Sequence, residues 1–298
     1  MIQQSEFLLS EVQELQQLID GLPPNATIRR RSLESRLKSI RADLVQEQNT
    51  FRPKRARLTF RGRPVVGSRG ITADFGGKAS NAFADAFAAV VAGLNENLRF
   101  MGPIPDRSKN QLLITGTAIG SFGFEFELPF ADGLFPEQEK TEDALQKMQL
   151  LLEASAVGSD DDVAEIVDAI HPRAVKKISE FLGLLSQSHA WCGLEFKHKV
   201  FRFEGLEQLE RSANRLEEGN IKEGRESFRG SFLGVLPNSR SFEFLTTEEV
   251  IKGKIGPSVA DPYIINREWL QREVEITLDV VKVGQGRPRF KLNSLPNQ

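Results

Sequence analysis

The sequence predicts an α+β protein: an N-terminal antiparallel helical hairpin over residues 1–50, a central sheet packed with helices over 51–220, and a small β-barrel-like domain over 221–298. Three observations carry that reading. Apolar residues recur at helical spacing near the start, strand and helix periods alternate through the middle, and residues 226–292 hold five short apolar runs separated by turn residues.

In the first part, Leu8, Val12, Leu15, Ile19 and Leu22 fall at alternating intervals of four and three, which places them on one stripe of a helix that Pro23 and Pro24 then stop. A second stripe follows at Leu33, Leu37, Ile40 and Leu44, with Arg30, Arg31, Arg36 and Lys38 on other faces. Two striped helices joined by a short Pro-rich turn form a hairpin. Its seam is narrow, so either the helices cover each other or the stripe docks on the body of the protein or on a second copy.

The segment Arg57–Phe75 alternates apolar and polar residues between Gly and Pro punctuation, as in a strand, a Gly-rich turn and a second strand. From Lys78 to Leu94 the period becomes helical, through Phe83, Phe87, Val90, Val91 and Leu94 among alanines that permit close packing. Leu112–Leu128 returns to strand character, with Gly120 and Gly123 flanking a turn. There Phe122, Phe124 and Phe126 share one face, and Glu125 and Glu127 the other.

Residues 139–187 read as three helices, the second capped by Ser159 and the third opened by Pro172. Trp191–Phe203 is strand-like, and Leu206–Leu216 is a short charged helix. The runs Phe228–Leu236, Ser241–Leu245, Val250–Ile255, Val274–Val283 and Arg289–Leu292, with one insertion around Trp269, suit a closed or half-closed barrel.

Composition excludes some classes. With 40% hydrophobic and 27% charged residues the chain has the balance of an ordinary globular protein. The most apolar run, Ala82–Leu94, is broken by Asp85 and too short to span a bilayer, so no membrane role is expected. The lone Cys192 forbids an internal disulfide, and the N terminus lacks the basic, then apolar, pattern of a secretory signal. A cytoplasmic location follows as the expectation.

Charge is segregated along the chain. Residues 1–70 hold 13 Lys or Arg against 7 Asp or Glu, whereas the other 228 hold 26 against 34. Between Phe51 and Gly70 stand Arg52, Lys54, Arg55, Arg57, Arg61, Arg63 and Arg69 without one acid, and the loop Gly284–Lys291 adds Arg287 and Arg289. Such a surface can grip phosphates or an acidic protein. Phe51 and Phe60 are the aromatic residues at hand there to stack on bases.

No catalytic pattern is complete. Gly-Gly-Lys at 76–78 lacks the first glycine and the following Ser or Thr of a phosphate loop. Glu195-Phe196-Lys197 matches half of a metal-dependent nuclease site, whose second carboxylate would come from Asp168, within a helix, or from Asp160–Asp162, at a helix start where the macrodipole already accounts for acids. His189, Cys192 and His198, with His171 farther off, fall short of a zinc site. The reading that results is a non-catalytic binding or adaptor subunit without cofactor or metal. Its basic surface contacts an acidic protein partner or nucleic acid, and its hairpin mediates homo-oligomer assembly. A metal-dependent nuclease and a purely structural oligomer component are the alternatives.

Overall fold

The computed structural model describes residues 12, 15–16, 18–21, 30–40, 54–118, 122–129 and 135–296, with side chains from 140 onward in the last range. The chain forms two compact units, Met1–Lys54 and Arg55–Gln298. In the first unit, Val12, Leu15 and Ile19 of the first stripe and Leu33, Leu37 and Ile40 of the second lie in helix, and four of them form one buried cluster with Val12 and Leu33 packed against it.

The second unit opens with strand β1 (Arg55–Gly62), a two-residue hairpin of β2 (Val65–Val66) and β3 (Gly70–Ile71), and helix α1 (Ala73–Leu94). Gly76 and Gly77, which precede the expected helix start, therefore lie inside the helix. The helix starts five residues before the expected Lys78, after Thr72, and Lys78 pairs back to Asp74 at 2.8 Å. Glycine at position 76 has a packing reason, because a Cβ there would stand 3.2 Å from the Ile71 side chain and 3.4 Å from the Phe124 ring.

Strands β4 (Leu113–Thr117) and β5 (Gly123–Glu127) form the expected second hairpin, followed by helices α2 (Phe135–Val157), α3 (Asp160–Asp168) and α4 (Pro172–Gln187). Ser159 caps α3 in a reciprocal arrangement with Asp162, its hydroxyl accepting from the Asp162 amide while the Asp162 carboxylate accepts from Ser159. Strands β6 (Ala190–Phe196) and β7 (Lys199–Arg202) then complete a five-stranded sheet of order β4-β5-β1-β6-β7, and α5 (Leu206–Arg215) follows.

One face of that sheet is the core. Leu58, Phe60, Phe126, Leu194 and Phe196 are buried against Phe83 and Phe87 of α1, Leu145 and Met148 of α2, and Phe181 and Leu182 of α4. The Gln149 amide ties α2 to the sheet by donating to the carbonyls of Leu194 and Lys199, both at 3.1 Å. The other face of the sheet carries the charged alternates.

The last five strands are β8 (Ile221–Leu236), β9 (Ser241–Thr246), β10 (Val250–Ile255), β11 (Glu273–Val283) and β12 (Arg289–Leu292), with helix α6 (Tyr263–Glu268) between β10 and β11. They form a closed barrel of order β10-β12-β11-β8-β9, in which β10 and β12 run parallel. Phe232, Phe242, Phe244, Ile251, Ile276, Leu278 and Leu292 fill its interior. Strand β8 is 16 residues long, and Val283, paired with its first residue Ile221, is buried in the core of the helical layer and not in that of the barrel. No helix among the described residues is long and apolar enough to cross a membrane.

Candidate polyanion-binding surface

Alternation along β1 turns Ala56, Leu58 and Phe60 inward and leaves Arg55, Arg57, Thr59 and Arg61 on the open face. Register then decides which arginines keep their charge available. Arg57 sits directly between Glu125 on β5 and Glu195 on β6, and its guanidinium meets them at 3.2 and 3.5 Å. Arg55 meets Glu125 at 3.0 Å and Glu127 at 3.7 Å. Both arginines are about half exposed, so these pairs stabilise the sheet only modestly, by about 1 kcal/mol or less each. They also neutralise two members of the expected basic patch.

Arg61, Arg63 and Arg69 are different. All three are exposed, and among the described residues their side chains have no acid or hydrogen-bond partner. Arg61 lies near the end of β1 and Arg63 and Arg69 in the small hairpin that follows, after a turn that requires glycine: Gly62 has φ 111°, and a Cβ there would lie 2.2 Å from the His189 carbonyl oxygen. The Arg63 amide fixes the turn by donating to that same carbonyl at 3.1 Å. Lys54 is exposed and has an interaction partner, and Arg52 lies outside the described residues.

Two residues outside the expected patch join this surface. Trp191 stands on β6 directly opposite Arg61, half-buried, its indole N–H without a hydrogen-bond partner among the described residues. Arg202 on β7 pairs in register with Gly193, and its side chain lies over that glycine, where a Cβ would approach its Cγ and Nε at 3.1 Å. The aromatic residue on the open face is therefore Trp191, whereas Phe60, expected as a stacking platform, is fully buried. Phe51 lies outside the described residues.

The second basic loop is largely absorbed by helix α3. The Asp160 carboxylate accepts from the Gln285 amide at 3.1 Å and from the Arg215 guanidinium at 2.8 Å, and Asp161 accepts from the Arg287 amide at 2.7 Å. Arg289 donates to the Asp161 carbonyl and the Glu165 carboxylate, both at 3.1 Å, and Lys291 meets Asp168 at 2.6 Å. Arg215 hydrogen bonding, with the Gln285 amide second, holds the Asp160 carboxyl below the usual carboxylate range, and the Ser159 hydroxyl and amide do the same for Asp162. Gly284, at φ 51°, brings the loop so close that a Cβ would meet an Asp160 oxygen at 2.5 Å. The three consecutive aspartates thus cap a helix and clasp a barrel loop. Among the described residues the Arg287 side chain has no ion pair.

The catalytic alternatives fare as follows. Glu195 faces Arg57, and Lys197, in the β6–β7 turn, pairs with Glu142 at 2.9 Å. Among the described residues no three His, Cys, Asp or Glu side chains converge to hold a metal. Cys192 is buried, and burial pushes its thiol up to about 12, far from the thiolate a nucleophile needs. His171 is a helix cap, its Nδ1 accepting from the Arg173 amide, and burial lowers its pKa.

Searches against known protein families, curated proteins and solved structures find no match to this chain.

Proposed function

We propose that the protein is a non-catalytic binding subunit that grips a polyanion, nucleic acid or an acidic protein surface, through Arg61, Arg63 and Arg69 with Arg202 and Trp191 beside them. The observation that carries this reading is the division within β1 and its turn: Arg55 and Arg57 are matched by acids in register, while the next three arginines are left exposed without any acid among the described residues. Exposed guanidinium groups are weakly hydrated and fork-shaped, which suits phosphate and carboxylate alike, and the neighbouring indole offers a flat apolar surface to a base.

Salt dependence tests it. For nucleic acid, affinity should fall steeply between low and physiological salt, and changing Arg61, Arg63 and Arg69 together to Ala should flatten the logarithmic slope by about one unit for each phosphate no longer neutralised. The Arg55→Ala, Arg57→Ala pair should change it little. Equal effects from both sets in a fluorescence-anisotropy titration contradict the assignment.

Residues 1–50 complete the proposal as a helical hairpin that mediates assembly. The small cluster of Leu15, Ile19, Leu37 and Ile40 supports it, because a seam of that size is marginal alone and gains stability from a partner. Deleting residues 1–50 should lower the mass measured by light scattering to that of a monomer while the far-ultraviolet circular dichroism of the remainder persists. A full-length chain already monomeric at high concentration rules the role out.

A further inference from the structure

A groove runs between helix α4 and the root of the barrel. It consists of two adjoining hollows of about 620 and about 450 Å³ that share Phe100, Pro172 and Glu223. The first continues over Val175, Leu216 and Ile221, and the second over Ile170, Val280 and Val281, so the floor is apolar along its whole course. We propose that this groove docks a basic segment of another protein in extended form, with an arginine of that segment between the Phe100 ring and the Glu223 carboxylate and its apolar neighbours in the hollows.

Phe100 is the first reason. Its side chain is 73% exposed, yet the loop that carries it is held on both sides: the Arg173 guanidinium donates to the Arg99 carbonyl at 2.9 Å and to the Gly102 carbonyl. The His171 ring lies against it, with centroids 5.0 Å apart. The phenyl ring is thus displayed in a fixed place at the junction of the two hollows, and a partner that covers it has little ordering entropy to overcome there. Its face attracts a cation. His171 does not oppose one, since burial lowers its pKa and leaves the imidazole uncharged at neutral pH.

Charge decides the occupant. Every cation that lines the two hollows is already engaged: Arg173 by the two carbonyls, Lys176 by Glu218 at 2.8 Å, Arg225 by Asp279 at 2.9 Å and Lys291 by Asp168 at 2.6 Å. Glu180 is likewise paired, with Lys177 at 2.5 Å. Two acids remain. The side chains of Glu217 and Glu223 have neither an ion pair nor a hydrogen bond among the described residues, and burial first, then the Glu218 charge, raise the Glu223 carboxyl from its ordinary value. An anionic partner is repelled here, and a purely apolar one covers these carboxylates without matching them. An arginine side chain satisfies both neighbours at once, because its guanidinium stacks on an aromatic face while its edge forks onto a carboxylate. Hollows of this volume take whole side chains, more than the bare methylene chain of a polyamine fills.

The test titrates the full chain with a fluorescent peptide built from repeats of Gly-Arg-Leu. Glu217→Gln with Glu223→Gln should weaken its binding about tenfold, the loss expected for two exposed ion pairs, and Phe100→Ala about threefold, the loss of one exposed cation–ring contact. All three side chains are exposed, and a circular dichroism spectrum matching the parent's shows that each variant is folded. Arg61→Ala with Arg63→Ala and Arg69→Ala should leave the peptide bound, which separates the groove from the open face of the sheet. No binding of the peptide at millimolar concentration, or an unchanged affinity in either groove variant, overturns the proposal and leaves the polyanion surface standing. Spermine, or the same peptide with its leucines replaced by serine, binding as tightly overturns the partner class.

Discussion

Replacing Phe83 by Ala should lower the free energy of unfolding by about 3–5 kcal/mol, the usual cost of emptying a large aromatic site in a core that cannot collapse around it. Phe83 is fully buried on α1 and packs against Phe126 of β5 and Phe181 of α4, with ring centroids 5.5 and 5.6 Å away. It is the point where sheet and helical layer meet. Ala79, Ala86 and Ala89 are buried on the same helix and let its backbone pack closely against its neighbours. A urea titration should show the midpoint moving with an unchanged slope, and Phe83→Leu should cost less because most of the volume is kept. A loss below about 1 kcal/mol contradicts the layered packing.

Arg215→Met should be the most damaging change among the polar groups, at roughly 2–3 kcal/mol, because a partly buried charged hydrogen-bond partner is removed while its acceptors stay. Its guanidinium donates to the Asp160 carboxylate through Nε and Nη2, and through Nη1 to the carbonyls of Ser155 and Gly158 at 2.9 Å. It thereby closes the end of α2 and fixes the carboxylate that holds the barrel loop. The pH dependence follows in sign. Since the Asp160 carboxyl is depressed in the folded protein, its contribution is present above the ordinary carboxylate pKa and is lost as pH falls through the depressed value. In the variant that depression shrinks, so the acid limb of a thermal-melting profile should be shallower than in the parent. A variant with an unchanged midpoint and an unchanged acid limb contradicts this role.

Much of the architecture follows from local pattern. Ser159 ahead of three aspartates is a cap that needs no tertiary information, and four of the five barrel strands follow alternation and turn residues closely, whereas the first begins at Ile221, ahead of the expected Phe228. Gly76 and Gly77 depart from their local pattern for a physical reason. Helix α1 opens at Ala73 because Phe75, Ala79 and Phe83 are buried together by long-range packing, and two glycines in the first turns are tolerated when one of them lets Phe124 approach. The charged site was only half legible. Lys and Arg can be counted along a chain, but that Glu125 and Glu195 flank Arg57 is a matter of strand order and register, and both acids are far from it in sequence. The same register places Trp191 opposite Arg61. Its alternation on β6 relative to Glu195 was the available signal, and it meant little before the strands had neighbours.

The root of the barrel has one more consequence. Val283, at the end of β11, is sunk among the helices, and Ile221 and Val281 pack beside it, so the barrel is anchored by its own longest strand pair and not tethered by a linker. Barrel and sheet should therefore unfold together, so that urea transitions followed by probes in each coincide.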